Sequence, residues 1–146
     1  MTRASTIRAA IASAIEGVTP DVRATRSDAF RHLDAGSAQF EQAPDRSFQV
    51  RLAAQPQRIE INNCDTWRVE YQVIVFYNAS QDGVEDRIAG DFERIWGPLE
   101  RLFETVAGVM RVDVAPLGIA DGAPGTVISQ LSVVVIYQLD SAVITA

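Results

Sequence analysis

The sequence predicts an α+β fold: a mixed, mostly antiparallel sheet of about four strands with one long helix packed on it, in the order α-β-β-α-β-β. Three observations predict it. From Asp82 to Val106, apolar residues recur at steps of three and four: Val84, Ile88, Phe92, Ile95, Trp96, Leu99, Leu102, Phe103 and Val106. At about 100° per residue they fall within roughly 120° of arc, the width of a core-facing helical stripe. On either side of this helix, Trp67 to Tyr77 and Val127 to Tyr137 carry the period-2 patterning of strands.

The elements follow in order. A chain of 146 residues suits one domain, 1–146, with one core. The opening MTRASTIRAAIASAIEG has the arginines and alanine-rich centre of a leader, but Arg8 and Glu16 break its apolar run. It reads instead as an amphipathic helix from Thr2 to Gly17. Ile7, Ile11 and Ile15 form its apolar edge, Thr2 or Ser5 caps it, and Gly17 and Pro20 stop it. Thr19 to Gln42 is poor in large apolar residues and is expected to be irregular, an arm that orders against a neighbouring subunit. Arg46 to Leu52 is a short strand with Phe48, Val50 and Leu52 on one face. Ala53 to Asp65 is expected to be a loop, with Ile59 and Ile61 extending a strand end.

Thr66 to Tyr77 is the clearest strand. Trp67, Val69, Tyr71, Val73, Val75 and Tyr77 share a face, and Arg68, Glu70 and Gln72 lie opposite, followed by Ile74 and Phe76. Its first half is expected to be wet on one side. Its second half is expected to be covered on both, by the chain's own helix or by a partner subunit. Asp82 with Glu85 resembles a capping box at the start of the long helix. Gly97-Pro98 predicts a kink or two abutting helices, because proline removes a helical hydrogen bond. Val109 to Leu117 reads as a strand with Met110, Val112 and Val114 inward, Gly118 to Gly125 as a loop, and Thr126 to Leu139 as the last strand. The tail DSAVITA has no usable pattern. The long helix is then a crossover between the second and third strands.

Chemistry is sparse. The formal charge of −6 disfavours general nucleic-acid binding, which needs clustered cations. All the basic residues are arginine, which reflects either coding composition or the suitability of a planar, weakly hydrated cation for subunit contacts. A single cysteine, Cys64, excludes an internal disulfide. With His32 the only histidine, no nucleophile, base and orienting group are spaced to act together, and a zinc site would have to recruit carboxylates around these two. Asp82, Glu85, Asp86, Asp91 and Glu93 are crowded, but the first three sit where acids offset a helix dipole. The glycine-rich loop joins two strands and lacks the lysine of a phosphate cradle. Trp67, Tyr71 and Tyr77 lack the surrounding cations of a base-stacking platform. Neither an enzyme nor a cofactor is expected. No apolar run reaches the ~18 residues of a membrane span. Two charged stripes stand out on the helix at heptad spacing: Arg87, Arg94 and Arg101, and beside them Asp86, Glu93 and Glu100. They are candidate subunit contacts, against the plainer reading of solvated helix charges pairing locally.

The segments TWRVEYQVIVFYN, QDGVEDRIAGDFERIWGPLERLF and TVISQLSVVVIYQLD, in this order behind a first helix, resemble the tail terminator proteins of long-tailed bacteriophages, the lambda tail terminator family. The likeness runs from Phe48 onward and includes the first helix; it is one of size, order and texture. It implies a homohexameric ring at the head-proximal end of the tail that ends growth of the tail tube. Its implied partners are the tail-tube protein and a head completion or neck protein, with DNA passing through the lumen without specific binding. Its implied place is the virion, after assembly in the host cytoplasm. The family has no catalytic residue to carry over. Another head-tail connector, a non-viral oligomeric scaffold and a small enzyme are the alternatives.

Overall fold

The computed structural model describes residues 2–20, 29–33, 45–61, 64–79, 83–122 and 124–139. The elements are α1 (Arg3–Glu16), β1 (Arg31–His32), β2 (Ser47–Ile61), β3 (Cys64–Asn78), α2 (Val84–Glu100), α3 (Leu102–Thr105), β4 (Val109–Asp121) and β5 (Thr126–Gln138). One five-stranded sheet has the order β1-β2-β3-β5-β4. β1 runs parallel to β2, and the other neighbours are antiparallel. Because β3 and β4 are both antiparallel to β5, they are parallel to each other. The crossover through α2 and α3 therefore spans a sheet position that β5 later fills.

The fold is the expected α+β arrangement of a mixed sheet and a long packed helix. The core lies between the helices and one sheet face. Ile7, Ile11 and Ile15 of α1 and Ile88, Ile95 and Leu99 of α2 meet Phe48, Val50, Val69, Val73, Val75, Leu131, Val133 and Val135. The α1 stripe is as read: all three isoleucines are fully buried, and Thr2 Oγ1 accepts the Ser5 N–H as N-cap. The face of β3 from Val69 to Tyr77 is buried as its alternation required.

Several boundaries differ from the sequence reading, each for a local reason. The sheet has five strands, because β1 forms inside the segment expected to be irregular; residues 21–28 and 34–42 of that segment lie outside those described. β2 continues to Ile61 where a loop was expected after Leu52. It absorbs Pro56 at register shifts between Leu52 and Gln57, where a missing N–H removes no ladder bond. Leu52, still in register opposite Tyr71, is half exposed. β4 runs through Gly118 to Asp121, with a register shift between Pro116 and Gly118, so the strands take up half of the expected loop. Another shift in β4, between Val109 and Arg111, turns Met110 outward, so Val109 and Val112 are the inward pair.

The long helix is two abutting helices, but the break falls at Arg101 and not at Gly97-Pro98. Its N-cap is Gly83 in the left-handed region, φ 71°, with no side-chain cap bond; Asp82 lies outside the described residues. Trp96 and Phe103, assigned to the core stripe, are about half exposed, while Arg87, Gly90 and Asp91 are buried in their stead. The inward arc is rotated toward the 87–91 edge of the helix.

That register is testable by urea unfolding. Leu99→Ala is expected to cost about 3 kcal/mol through cavity formation, and Leu99→Asp to abolish soluble folding. Trp96→Ala is expected to stay within about 1 kcal/mol. Similar losses at positions 96 and 99 would overturn the assignment.

Candidate functional site

The sequence puts an acid, Asp91, on the apolar stripe of α2, three residues after Ile88 and four before Ile95. The fold buries it completely and surrounds it with partners. Arg46 Nε donates to Asp91 Oδ2 at 2.7 Å and Nη2 to Oδ1 at 3.3 Å, a bidentate pair with both side chains fully buried. Tyr77 Oη donates to Asp91 Oδ2 at 2.9 Å. Arg46 has φ 61°, rare for a residue with a Cβ. Its backbone N–H donates to Phe76 O at 2.7 Å, and its carbonyl accepts from Arg31 N at 3.2 Å. One residue thus ties β1, β3 and α2 at the start of β2.

Arg87 completes the cluster. It is 2% exposed, donates Nη2 to Asp45 Oδ2 and sets its guanidinium 5.9 Å from the Tyr77 ring centroid. Asp45 Oδ1 also accepts the Asn78 N–H at 2.8 Å. Two arginines thus face two aspartates around one tyrosine. Burial first, then the Asp91 charge and hydrogen bond, hold the Tyr77 phenol well above its ordinary pKa, against the opposing pull of Arg46.

The two charged stripes separate in the fold. Arg87 is internal, whereas Arg94, Arg101, Asp86 and Glu93 are exposed and Glu100 is half-buried. Arg101, Asp86, Glu93 and Glu100 make no ion pair or side-chain hydrogen bond among the described residues. Local pairing along the helix therefore does not occupy them. Glu85 and Asp86 lie in the first turn of α2, where they offset its dipole.

Cys64 and His32 are far apart. His32 pairs with Phe48, Phe48 with Val75, and Cys64 stands eleven residues before Val75 on β3, a span of roughly 35 Å at strand rise. The His32 ring packs 5.3 Å from the Phe48 ring. No group of three or more potential metal ligands occurs among the described residues.

Sequence reasoning missed the Arg46–Asp91 pair. The signal was present for Asp91, an acid in phase with Ile88 and Ile95. It was absent for Arg46, whose partner lies 45 residues away.

Two measurements test the cluster. Asp91→Ala strands the Arg46 charge in the core and is expected to cost about 3–5 kcal/mol, whereas the double variant Arg46→Met with Asp91→Leu should recover much of that loss. The second is alkaline titration. Burial first, then the neighbouring Tyr137, raises Tyr71 to about 12, with Arg8 opposing; Tyr77 and Tyr137 are raised as well. These are all three tyrosines of the chain. A raised phenol pKa means that its contribution to stability is intact below the unfolded value near 10 and is lost as pH climbs toward the folded value. Tyrosinate absorbance is therefore expected to appear together with loss of circular dichroism, and not as a separate native transition near pH 10. A tyrosine that ionises near pH 10 in the folded protein would contradict this.

Comparison with known proteins found no family model that matches the chain and no curated protein that matches it.

Proposed function

We propose that the chain is a structural, ring-forming virion protein of the tail terminator kind. It closes the head-proximal end of a phage tail and joins it to the neck. The observation that carries this reading is the β4–β5 hairpin. From Ala115 onward β4 is exposed, with Leu117 and Ile119 more than half accessible on the outermost strand of the sheet. A long apolar edge strand is a liability for a monomer and a ready contact for a neighbour. The sheet face opposite the helices adds Ile74 with half-buried Phe76, and, farther along, half-buried Val134 and Ile136 across from Glu70 and Arg68. The resemblance in size and element order supplies the class.

A head-to-tail ring needs two different complementary surfaces on each protomer. In this reading the hairpin is one. The exposed charges of α2 (Arg94, Arg101, Asp86, Glu93 and Glu100) help fix the register of contact, and Arg87 is excluded because it is engaged inside its own protomer. Each protomer brings a charge of −6, so an anionic bore lets DNA slide without sticking. The partners in this reading are the tail-tube protein and a head completion protein. No helix among the described residues is long and apolar enough to cross a membrane.

The test is sedimentation and electron microscopy of the wild type beside Ile119→Asp and Arg94→Glu, followed by tail-length measurement in a phage carrying each change. Wild type should form six-membered rings. Ile119→Asp should release folded monomers, and Arg94→Glu should weaken the ring about tenfold or more, since every interface repeats the change. Tails should overgrow or fail to join heads. A wild-type monomer, or normal tails with either variant, would overturn the reading.

A further inference from the structure

The start of α1 leans over the end of the sheet where β3 begins and β5 finishes, and a cleft of about 500 Å³ lies between them. Its volume falls in the range of small-molecule pockets. Its wall is aromatic: Trp67 and Tyr137 are direct cross-strand partners, and Tyr71 lies on the same face. Half-exposed Leu52, the β2 partner of Tyr71, adds an apolar lip.

The polar groups around this cleft are all suited to an anion. Arg3 and Arg8 line it, and no acidic residue among the described residues does, on a chain whose net charge is −6. Each arginine spends one nitrogen on a backbone carbonyl, Arg3 Nη1 on Ala107 at 2.6 Å and Arg8 Nε on Val50 at 3.0 Å, so each is held in place with donors to spare. The first turn of α1 carries no acid. Thr2 caps the Ser5 N–H, and those of Arg3 and Ala4 have no intrahelical partner at the positive end of the helix.

Tyr137 is the independent observation. It is 2% exposed, yet its hydroxyl makes no hydrogen bond among the described residues, whereas Tyr71 Oη beside it donates to Ala4 O. Its ring is packed away, but the hydroxyl oxygen itself still meets solvent. Here a donor stands ready at the cleft, within the field of Arg3.

We propose that this cleft binds a small apolar carboxylate. The carboxylate is received by Arg3, Arg8 and the first-turn N–H groups of α1, with the Tyr137 hydroxyl as a further donor. The apolar body lies against Trp67 and Leu52. Nothing in this site depends on the ring-forming role proposed above.

The test uses the full chain and three probes of equal length: octanoate, octanol and octylammonium, measured by calorimetry. Octanoate should bind at least about tenfold more tightly than either of the others, the scale of charge-assisted hydrogen bonds. Arg3→Gln and Arg8→Gln should each weaken octanoate about tenfold while leaving octanol unchanged, and Tyr137→Phe should weaken it about threefold. Thermal melting identifies any variant that fails to fold. Raised salt should weaken octanoate but not octanol binding, which probes the same charge contact without a substitution. Equal binding of octanoate and octanol, or affinity unmoved by both arginine variants and by salt, would overturn the proposal.

Discussion

A carboxylate sealed away from water has to be neutralised where it stands, and Asp91 is sealed completely. Its two oxygens take Arg46 in a two-point grip, and one also takes the Tyr77 hydroxyl. This requirement organises the fold around it. To reach Asp91, Arg46 must sit under α2 at the first residue before β2, which the chain achieves only with a left-handed backbone turn there. That turn places its N–H on Phe76 and its carbonyl toward Arg31, so β1 has somewhere to pair. Replacing such a pair with apolar residues of similar volume is often neutral or stabilising. What the pair adds is a condition on register: the Asp91 carboxylate is satisfied only where α2 brings it to both Arg46 and Tyr77.

That same constraint explains which parts of the fold are legible in the sequence. Period and alternation locate both main helices and the two central strands, because Ile7, Ile11, Ile15 and the odd-numbered residues from Val69 to Tyr77 are buried for the reason their spacing suggests. For the long helix, apolar period alone is about one residue step out of phase. It puts Trp96 and Phe103 inside, but the need to bury Asp91 and Arg87 turns the helix away from them. Strand ends are illegible wherever a register shift intervenes. Two extra residues between Leu52 and Gln57, and one at Met110, break the alternation, and the alanines at 53 and 54 carry too little contrast to reveal it. Pro56 and Gly118 signal a loop in one dimension. In three they mark irregular points inside continuing strands, a distinction that requires knowing the neighbour.

The candidate site is legible only as a charge pattern. Arg87, Arg94 and Arg101 are equivalent by heptad spacing, yet Arg87 lies beneath the turn that brings Asp45 and Tyr77 together while the others face solvent. Sequence period cannot report this, because the partner that draws Arg87 inward comes from a turn 42 residues away. The cleft beneath α1 is illegible for the same reason: Arg3, Trp67 and Tyr137 come from three distant parts of the chain.

The sheet divides these features between its ends. Trp67 and Tyr137 stand at one end of the β3–β5 pair and Tyr77 with Val127 at the other, ten residues or roughly 33 Å apart. The buried ion pairs and the tip of the β4–β5 hairpin lie at the second end, the aromatic cleft at the first. Side chains this far apart, with no shared partners, contribute independently to stability. A change at the cleft therefore leaves the pin on α2 untouched, and with it the support from which the hairpin projects. The coupling that exists runs through α1: Arg3 holds Ala107, just after α3, and Arg8 holds Val50 of β2, so the helix that roofs the cleft is also the brace between the crossover and the sheet. Anything that settles against Arg3 and Arg8 acts on that brace.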